Sequence, residues 1–212
     1  MDTTTKDTTE TELDAVTGTT VRELGIPIDP AASDTAILAA VVAYYCDTLK
    51  TSQQGQEYLR RRGLPGELMD RFRLGFSDRS LGLKLPAKNR KLGAAIRERL
   101  NSLGIIRDTG HETMRGSLVI PVFNAIGDTV GLYGRKVTYG LREGTALHLW
   151  VPNPDMLWNV QALSTGKSVV LCGSVIDALS VYVAGVPTVA AVAGHGGFSD
   201  AHLSAFAQSC VE

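Results

Sequence analysis

Between Ile37 and Leu49 the apolar positions Ile37, Leu38, Val41, Val42, Tyr45 and Leu49 recur at the spacing of one buried helix face. Ser33 or Asp34 can accept the first free N–H groups, so a helix is predicted to open there. A second helix is predicted over Gln53 to Arg62, stopped at Gly63, and Leu64-Pro65 opens a third with Leu68, Met69 and Phe72 inward. Leu74-Gly75-Phe76 reads as a short extended segment. Ala87 to Leu103 reads as a cationic amphipathic helix with Leu92, Ile96, Leu100 and Leu103 on one side, ended at Gly104.

The pattern then changes to strands. Ser117–Phe123 (SLVIPVF) and Thr129–Val137 (TVGLYGRKV) flank a turn at Asn124 to Asp128, which predicts an antiparallel hairpin. Leu147 to Val151 adds a strand and Asp155 to Leu163 a helix. Val169 to Leu171 is β-branched and apolar like a strand covered on both faces, after which Ala178, Leu179, Val181 and Tyr182 take helical spacing until Gly185 and Pro187. Val186 to Val192 predicts a further buried strand, Gly194 to Gly197 a flexible turn, and Ser199 to Ser209 a capped helix. The fold class expected is α/β: an α+β N-terminal subdomain at 35–165, then part of a parallel α/β unit at 166–212. Ligands gather where the strands of such a unit end, so chemistry is expected at Gly173 to Asp177, which holds one carboxylate, Asp177.

With 44% hydrophobic and 20% charged residues, 212 residues can bury one good core, or one core plus part of a second. No apolar run approaches the roughly 20 residues that span a bilayer. The N-terminus MDTTTKDTTETELD is polar and acidic, unlike a signal peptide, so the expected location is cytoplasmic, with no membrane partner. Cys46, Cys172 and Cys210 are far apart and odd in number, and are read as reduced thiols rather than a zinc ribbon or disulfide framework. Charge is segregated. Residues 1–34 hold eight acids against two bases and are read as an acidic tail, disordered at least to about residue 20, with the ordered chain starting near Asp34. Residues 60–107 hold thirteen bases against four acids, which makes Arg60, Arg61, Arg62, Arg73, Lys88 and Lys91 candidates for a track along a nucleic-acid backbone. The alternative is a solvated helical face.

Taken in order, these segments resemble the catalytic core of the DnaG family of bacterial and phage primases, whose second half is a Toprim domain. The resemblance rests on Tyr58-Leu59-Arg60-Arg61-Arg62-Gly63-Leu64 followed by Arg71-Phe72-Arg73-Leu74-Gly75-Phe76, then Met114-Arg115-Gly116-Ser117-Leu118-Val119-Ile120-Pro121-Val122, Gly131-Leu132-Tyr133-Gly134-Arg135, Leu157-Trp158-Asn159, and Val169 to Asp177 at the first Toprim motif. It runs from about Tyr44 to Glu212. It implies nucleotidyl transfer that makes an RNA primer on single-stranded DNA or RNA, chemistry that needs cations for phosphate and acids for divalent metal. Arg115 and Arg135 fall at the family's strand-borne basic positions, Lys136 follows as a weaker candidate, and His148 stands where the family has a lysine. The resemblance implies Asp177 as a metal ligand and, with Arg135 and Lys136, as a catalytic residue.

The departures are as informative. Position 173 is Gly where the family's pattern has Glu, and the family's Asp-x-Asp lies on a strand that would begin where the sequence stops, at Cys210-Val211-Glu212. One carboxylate is a poor cage for magnesium, so Mg is expected only if further acids complete the site. Asp177 as a simple helix cap is the alternative. No zinc ribbon of the family's kind is expected, since the three cysteines cannot form one. His195 in Ala193-Gly194-His195-Gly196-Gly197 is a candidate anion site or a tolerated turn residue, and Trp150 and Trp158 are base-stacking candidates or buried anchors. Two readings follow: a truncated or degenerate primase core whose missing acids come from more chain or a protein partner completing the sheet at Val186 to Val192, or a non-catalytic nucleic-acid-binding or assembly subunit. A third, an unrelated nucleotide-binding enzyme using Gly194 to Gly197, lacks a P-loop lysine.

Overall fold

The structure, a computed structural model, describes residues 26–138, 140–152, 154–165, 168–193 and 198–209. Helix α1 spans Asp34–Thr51, and Ser33 caps it by accepting the Ala36 N–H. Its buried residues are the six of the predicted stripe. Packing begins earlier than the expected boundary at Asp34, since Ile26 and Ile28 are buried in the same core as α1. Arg99 fastens that segment by donating to the Pro30 and Ala32 carbonyls and pairing with Asp34 at 2.6 Å. The physical reason is area: two isoleucines bring enough apolar surface to offset ordering. The disorder expected of residues 1 to about 20 lies outside the described residues.

Helix α2 is Gln53–Arg61, capped by Ser52, and the chain turns after it at Gly63, whose φ of +66° suits glycine. Helix α3 is Glu67–Arg71, strand β1 Gly75–Ser77, and a short α4, Leu81–Lys84, was not legible in the pattern. Helix α5 is Lys91–Ser102, shorter than the predicted Ala87 start. Residues 86–90 fold back over its first turn: Gly93 leaves no room for a Cβ against the Pro86 and Ala87 carbonyls, and Arg97 donates to the carbonyls of Gly82, Pro86 and Gly93. Leu92, expected inward, is 48% exposed, while Ile96, Leu100 and Leu103 are buried.

Strands β2 (Ser117–Phe123), β3 (Thr129–Lys136) and β4 (His148–Val151) join β1 in an antiparallel sheet of order β1-β2-β3-β4. Side chains alternate across it. Val119, Leu132 and Val151 pack with α1 and α5 on one face, and Leu118, Ile120 and Tyr133 pack with α2 and α3 on the other. A buried carboxylate ties the first layer together. Glu112 accepts from the Tyr45 and Ser77 hydroxyls at 2.9 and 2.6 Å and from the Leu81 N–H at 2.9 Å.

Beyond β4 the chain forms a parallel pair, β5 (Val170–Cys172) and β6 (Val189–Ala191), linked by α6 (Val175–Val183) and followed by α7 (Asp200–Ser209). Two expectations are corrected here and one holds. The strand at Val169 to Leu171 is not covered on both faces, since Val170 and Leu171 remain 42% and 40% exposed. Strand β6 is buried as expected within Val186 to Val192, with Val189, Ala190 and Ala191 each at 0%. No α-helix forms at Asp155 to Leu163; Val160–Thr165 is a 3-10 turn. Trp158 is committed instead to a β-bridge with Ala191, donating at 2.9 Å and accepting at 3.2 Å, and Asn159 then takes a left-handed φ of +59°. Trp158 itself is 2% exposed and Trp150 packs edge-on to Tyr133, so both act as anchors.

Candidate functional site

Strand register assembles the first half of the site. Arg135 on β3 pairs with His148 on β4, and Tyr133 pairs with Trp150, so these four side chains share the sheet face that meets α6. An arginine can only donate, so its N–H bond to His148 Nε2 at 3.1 Å leaves the hydrogen on Nδ1, which donates to the Tyr133 oxygen at 2.6 Å. Burial pushes the Tyr133 phenol far above its ordinary range, with the Arg135 charge working against it. Arg135 Nε also reaches the Tyr58 hydroxyl at 3.4 Å.

The second half comes from the turn into α6. Ser174 accepts the Asp177 N–H at 3.2 Å and donates its hydroxyl to Asp177 Oδ2 at 2.7 Å, a reciprocal cap that holds the carboxylate at the helix N-terminus. Arg62, from the end of α2, stands 3.6 Å from Asp177 Oδ1. His148, Trp150, Gly173, Ser174 and Asp177 line one cavity of about 590 Å³. Beside it, Tyr58, Arg62, Arg135 and Lys136 line another of about 360 Å³. At Gly173 a Cβ would meet nothing within 4 Å, so the absence of Glu there is not forced by space.

Four of the predicted residues, Arg62, Arg135, His148 and Asp177, therefore converge. Others do not. Arg60 and Arg61 lie along α2 against Glu57, Arg73 sits at a φ of +51° with its guanidinium 6.0 Å from the Phe123 ring centroid, and Lys88 and Lys91 belong to the α5 side of the sheet. The thirteen bases are thus not one track, because Arg97 and Arg99 are spent on internal carbonyls. Lys136 donates to the Arg115 carbonyl, and burial together with Arg115, Arg107 and Arg79 lowers its ammonium to about 8.

Tyr58, Tyr133, Ser174, Arg79 and Arg107 are site neighbours that sequence reasoning missed. Ser174-Val175-Ile176-Asp177 does carry the cap signature, and Tyr133 could have been found two residues before Arg135 on one strand face. His195 and Cys210 lie outside the described residues; Cys46 and Cys172 are free thiols. Among the described residues no three His, Cys, Asp or Glu side chains group to hold a metal ion. Asp177 with Ser174 does not fit magnesium, which demands a near-octahedral oxygen set. Nor is any described helix long and apolar enough to cross a membrane.

Residues 44–145 match the family model of the DNA primase catalytic core, N-terminal domain. That match covers a little under half of the chain. A DNA primase of Haemophilus influenzae is 31% identical over 108 residues, 48% of this chain but 18% of that protein. The whole fold is similar to a DnaG catalytic core (TM-score 0.67, 16% identity, 84% of this chain and 59% of that chain). It is also similar to a DnaG primase catalytic domain bound to ssDNA (0.67, 18%, 83% and 60%). A third likeness is the RNA polymerase domain of Mycobacterium tuberculosis DnaG in complex with double-stranded DNA (0.68, 20%, 86% and 62%). The chain thus spans about three-fifths of these solved cores. The segment that matches the primase-core model supplies Arg62, Arg135 and strands β1 to β3, while His148, Ser174 and Asp177 lie after it.

Proposed function

We propose that this chain is the nucleic-acid-binding core of a primase-type machinery that makes RNA primers, with the acids for metal-assisted nucleotidyl transfer provided by polypeptide outside these 212 residues. The observation that carries it is the convergence of Arg62, Arg135 and His148 on Asp177 at a strand-to-helix turn, in a chain whose 44–145 segment matches the primase-core family model. The Arg135 guanidinium, fixed by Tyr58 and His148, suits paired bonds to phosphate oxygens. The bases around Arg60 and Arg61, together with Arg79, Arg107, Arg115 and Lys136, suit the backbone of a single strand. That a relative of this fold was solved with ssDNA supports the same ligand class here. Asp177 would join a magnesium ion only alongside added carboxylates, whose chemistry is to hold the metal against a nucleotide's phosphates.

Single-strand affinity measured against salt tests the reading. A steep fall between low and moderate salt is expected, and replacing Arg60, Arg61 and Arg62 with Ala together should reduce the log–log slope by up to about 2, at roughly 0.7 per lost phosphate contact. A slope near zero in the unaltered protein overturns it. The second reading, a binding or assembly subunit without catalysis, is favoured by Gly173 and by the single carboxylate. Primer synthesis with magnesium by Gly173→Glu but not by the unaltered chain would count against it, because that glycine has room for the side chain.

A further inference from the structure

We propose that the acidic segment at residues 10–16 of this chain docks on the basic face formed by α4 and the start of α5, which makes that face a protein-binding surface and not part of the nucleic-acid site. This docking is independent of the primase-type function. From Arg79 to Arg97 the sequence has six bases and no acid. Two of the six are engaged elsewhere: Arg97 holds the carbonyls of Gly82, Pro86 and Gly93, and Arg79 belongs to the cluster around Lys136. Lys84, Lys88, Arg90 and Lys91 remain. All four are exposed, and among the described residues none of them makes an ion pair. The Arg97 clamp fixes the surface they stand on, because one guanidinium bonds carbonyls from both arms and Gly93 leaves no room for a Cβ against Pro86 and Ala87. Leu83 and Leu92, each next to a clamped residue, are left 74% and 48% exposed.

The end of the helix adds to the demand for an anion. Arg90 and Lys91 stand at the N-terminus of α5, which has no acid in its first turn and no side-chain cap. Cations at the positive end of a helix are unfavourable, and a carboxylate there relieves them. A phosphate backbone would match the bases but leave the two leucines in water. Residues 10–16, ETELDAV, match both: Glu10, Glu12, Asp14 and Val16 fall at every second position, so an extended segment puts three acids and an apolar residue on one side. The segment also reaches. The chain enters the described fold at Ile26, in the same core as Leu81, Leu85 and Ile96. Arg99 holds Pro30 and Ala32, and the rise from Arg99 back to Lys91 is about 12 Å, while Val16 to Ile26 spans up to about 33 Å when extended. Tethering favours this segment over a free partner, since a short linker holds it at about millimolar effective concentration.

Zero-length carbodiimide cross-linking of the full chain, read by peptide mass spectrometry, tests this. Glu10, Glu12 or Asp14 should form amides with Lys84, Lys88 or Lys91 of the same chain. Their yield should fall at least about fivefold from about 0.1 M to about 1 M salt, as the screening length shrinks from about 10 to about 3 Å. With Glu10→Gln, Glu12→Gln and Asp14→Asn together, the three lysines should acetylate at least about twofold faster, as expected if the segment is docked more than half the time, while exposed Lys50 is unchanged. These substitutions precede the folded core, so the variant is not at risk of unfolding. Absence of the cross-links, or equal acetylation in both proteins, overturns the docking, and a yield unchanged at high salt overturns its basis in charge. Cross-links found only between chains, in a mixture of isotope-labelled and unlabelled protein, overturn it in favour of a second copy. Protection of the three lysines by a single-stranded oligonucleotide, without cross-links, overturns it in favour of nucleic acid. Single-strand affinity against salt on the same samples separates the two readings: a steep slope with no cross-links sinks the docking alone, and a flat slope with cross-links sinks the primase-type function alone.

Discussion

Replacing Glu112 with Ala removes a carboxylate that three separate elements use at once. It is 5% exposed and accepts the Tyr45 hydroxyl of α1, the Ser77 hydroxyl of β1 and the Leu81 N–H at the start of α4. Each buried donor left without an acceptor costs about 1–3 kcal/mol. The two hydroxyls can rotate toward other acceptors but the Leu81 N–H cannot, so a loss of about 3–6 kcal/mol is expected for Glu112→Ala. Glu112→Gln keeps one oxygen for Leu81 and offers an amide to the two hydroxyl oxygens, which should reduce the loss to about 1–2 kcal/mol. Burial raises the Glu112 carboxyl, although the three bonds oppose the shift. The folded state therefore binds this proton more readily than the unfolded state. The contribution is fully present below the ordinary glutamate value and declines as pH rises through the folded one. Urea unfolding of the two variants and the unaltered protein, followed from pH 4 to pH 8, measures both effects. A loss under about 1 kcal/mol for Glu112→Ala with an unchanged m-value, or the same pH profile in Glu112→Gln and the unaltered chain, refutes the reasoning.

Two further outcomes are expected. Lys136 loses its proton near pH 8, so single-strand affinity should fall as pH rises from about 7.5 to about 9.5, and Lys136→Arg, charged throughout, should remove that fall; a pH-independent affinity in the unaltered protein contradicts it. Ser174→Ala deletes the cap that accepts the Asp177 N–H and should cost about 1 kcal/mol in urea unfolding, with Ser174→Thr restoring most of it. No change in midpoint for the Ala variant would show that the cap contributes nothing.

Where one periodicity ran uninterrupted, the sequence alone was enough. The six inward residues of α1, the stop at Gly63, the hairpin from Ser117 to Lys136 and the stop at Gly185 follow from spacing and from glycine's tolerance of positive φ, and each holds in the structure. The motifs from Tyr58 to Arg135 likewise anticipate the match of residues 44–145 to the primase-core family model. Local pattern failed where a distant group set the backbone. The stretch before α5 reads as helix, yet the Arg97 guanidinium gathers three carbonyls and folds it back. Asp155 to Leu163 reads as helix, yet Trp158 is claimed by Ala191, thirty-three residues on. The basic block reads as one track, yet Arg97 and Arg99 turn inward.

The candidate site divides the same way. Asp177 was visible at a turn from residue type and local spacing, and Arg135 on a strand from the resemblance to the primase core. Their company was not visible. That His148 lies across from Arg135, that Arg62 reaches Asp177, and that the apolar run at Val170 and Leu171 is open while β6 is closed all depend on which strands lie side by side. Pairing is a long-range choice settled by burial of whole faces, and a strand carries the same residues whether its edge is covered or free.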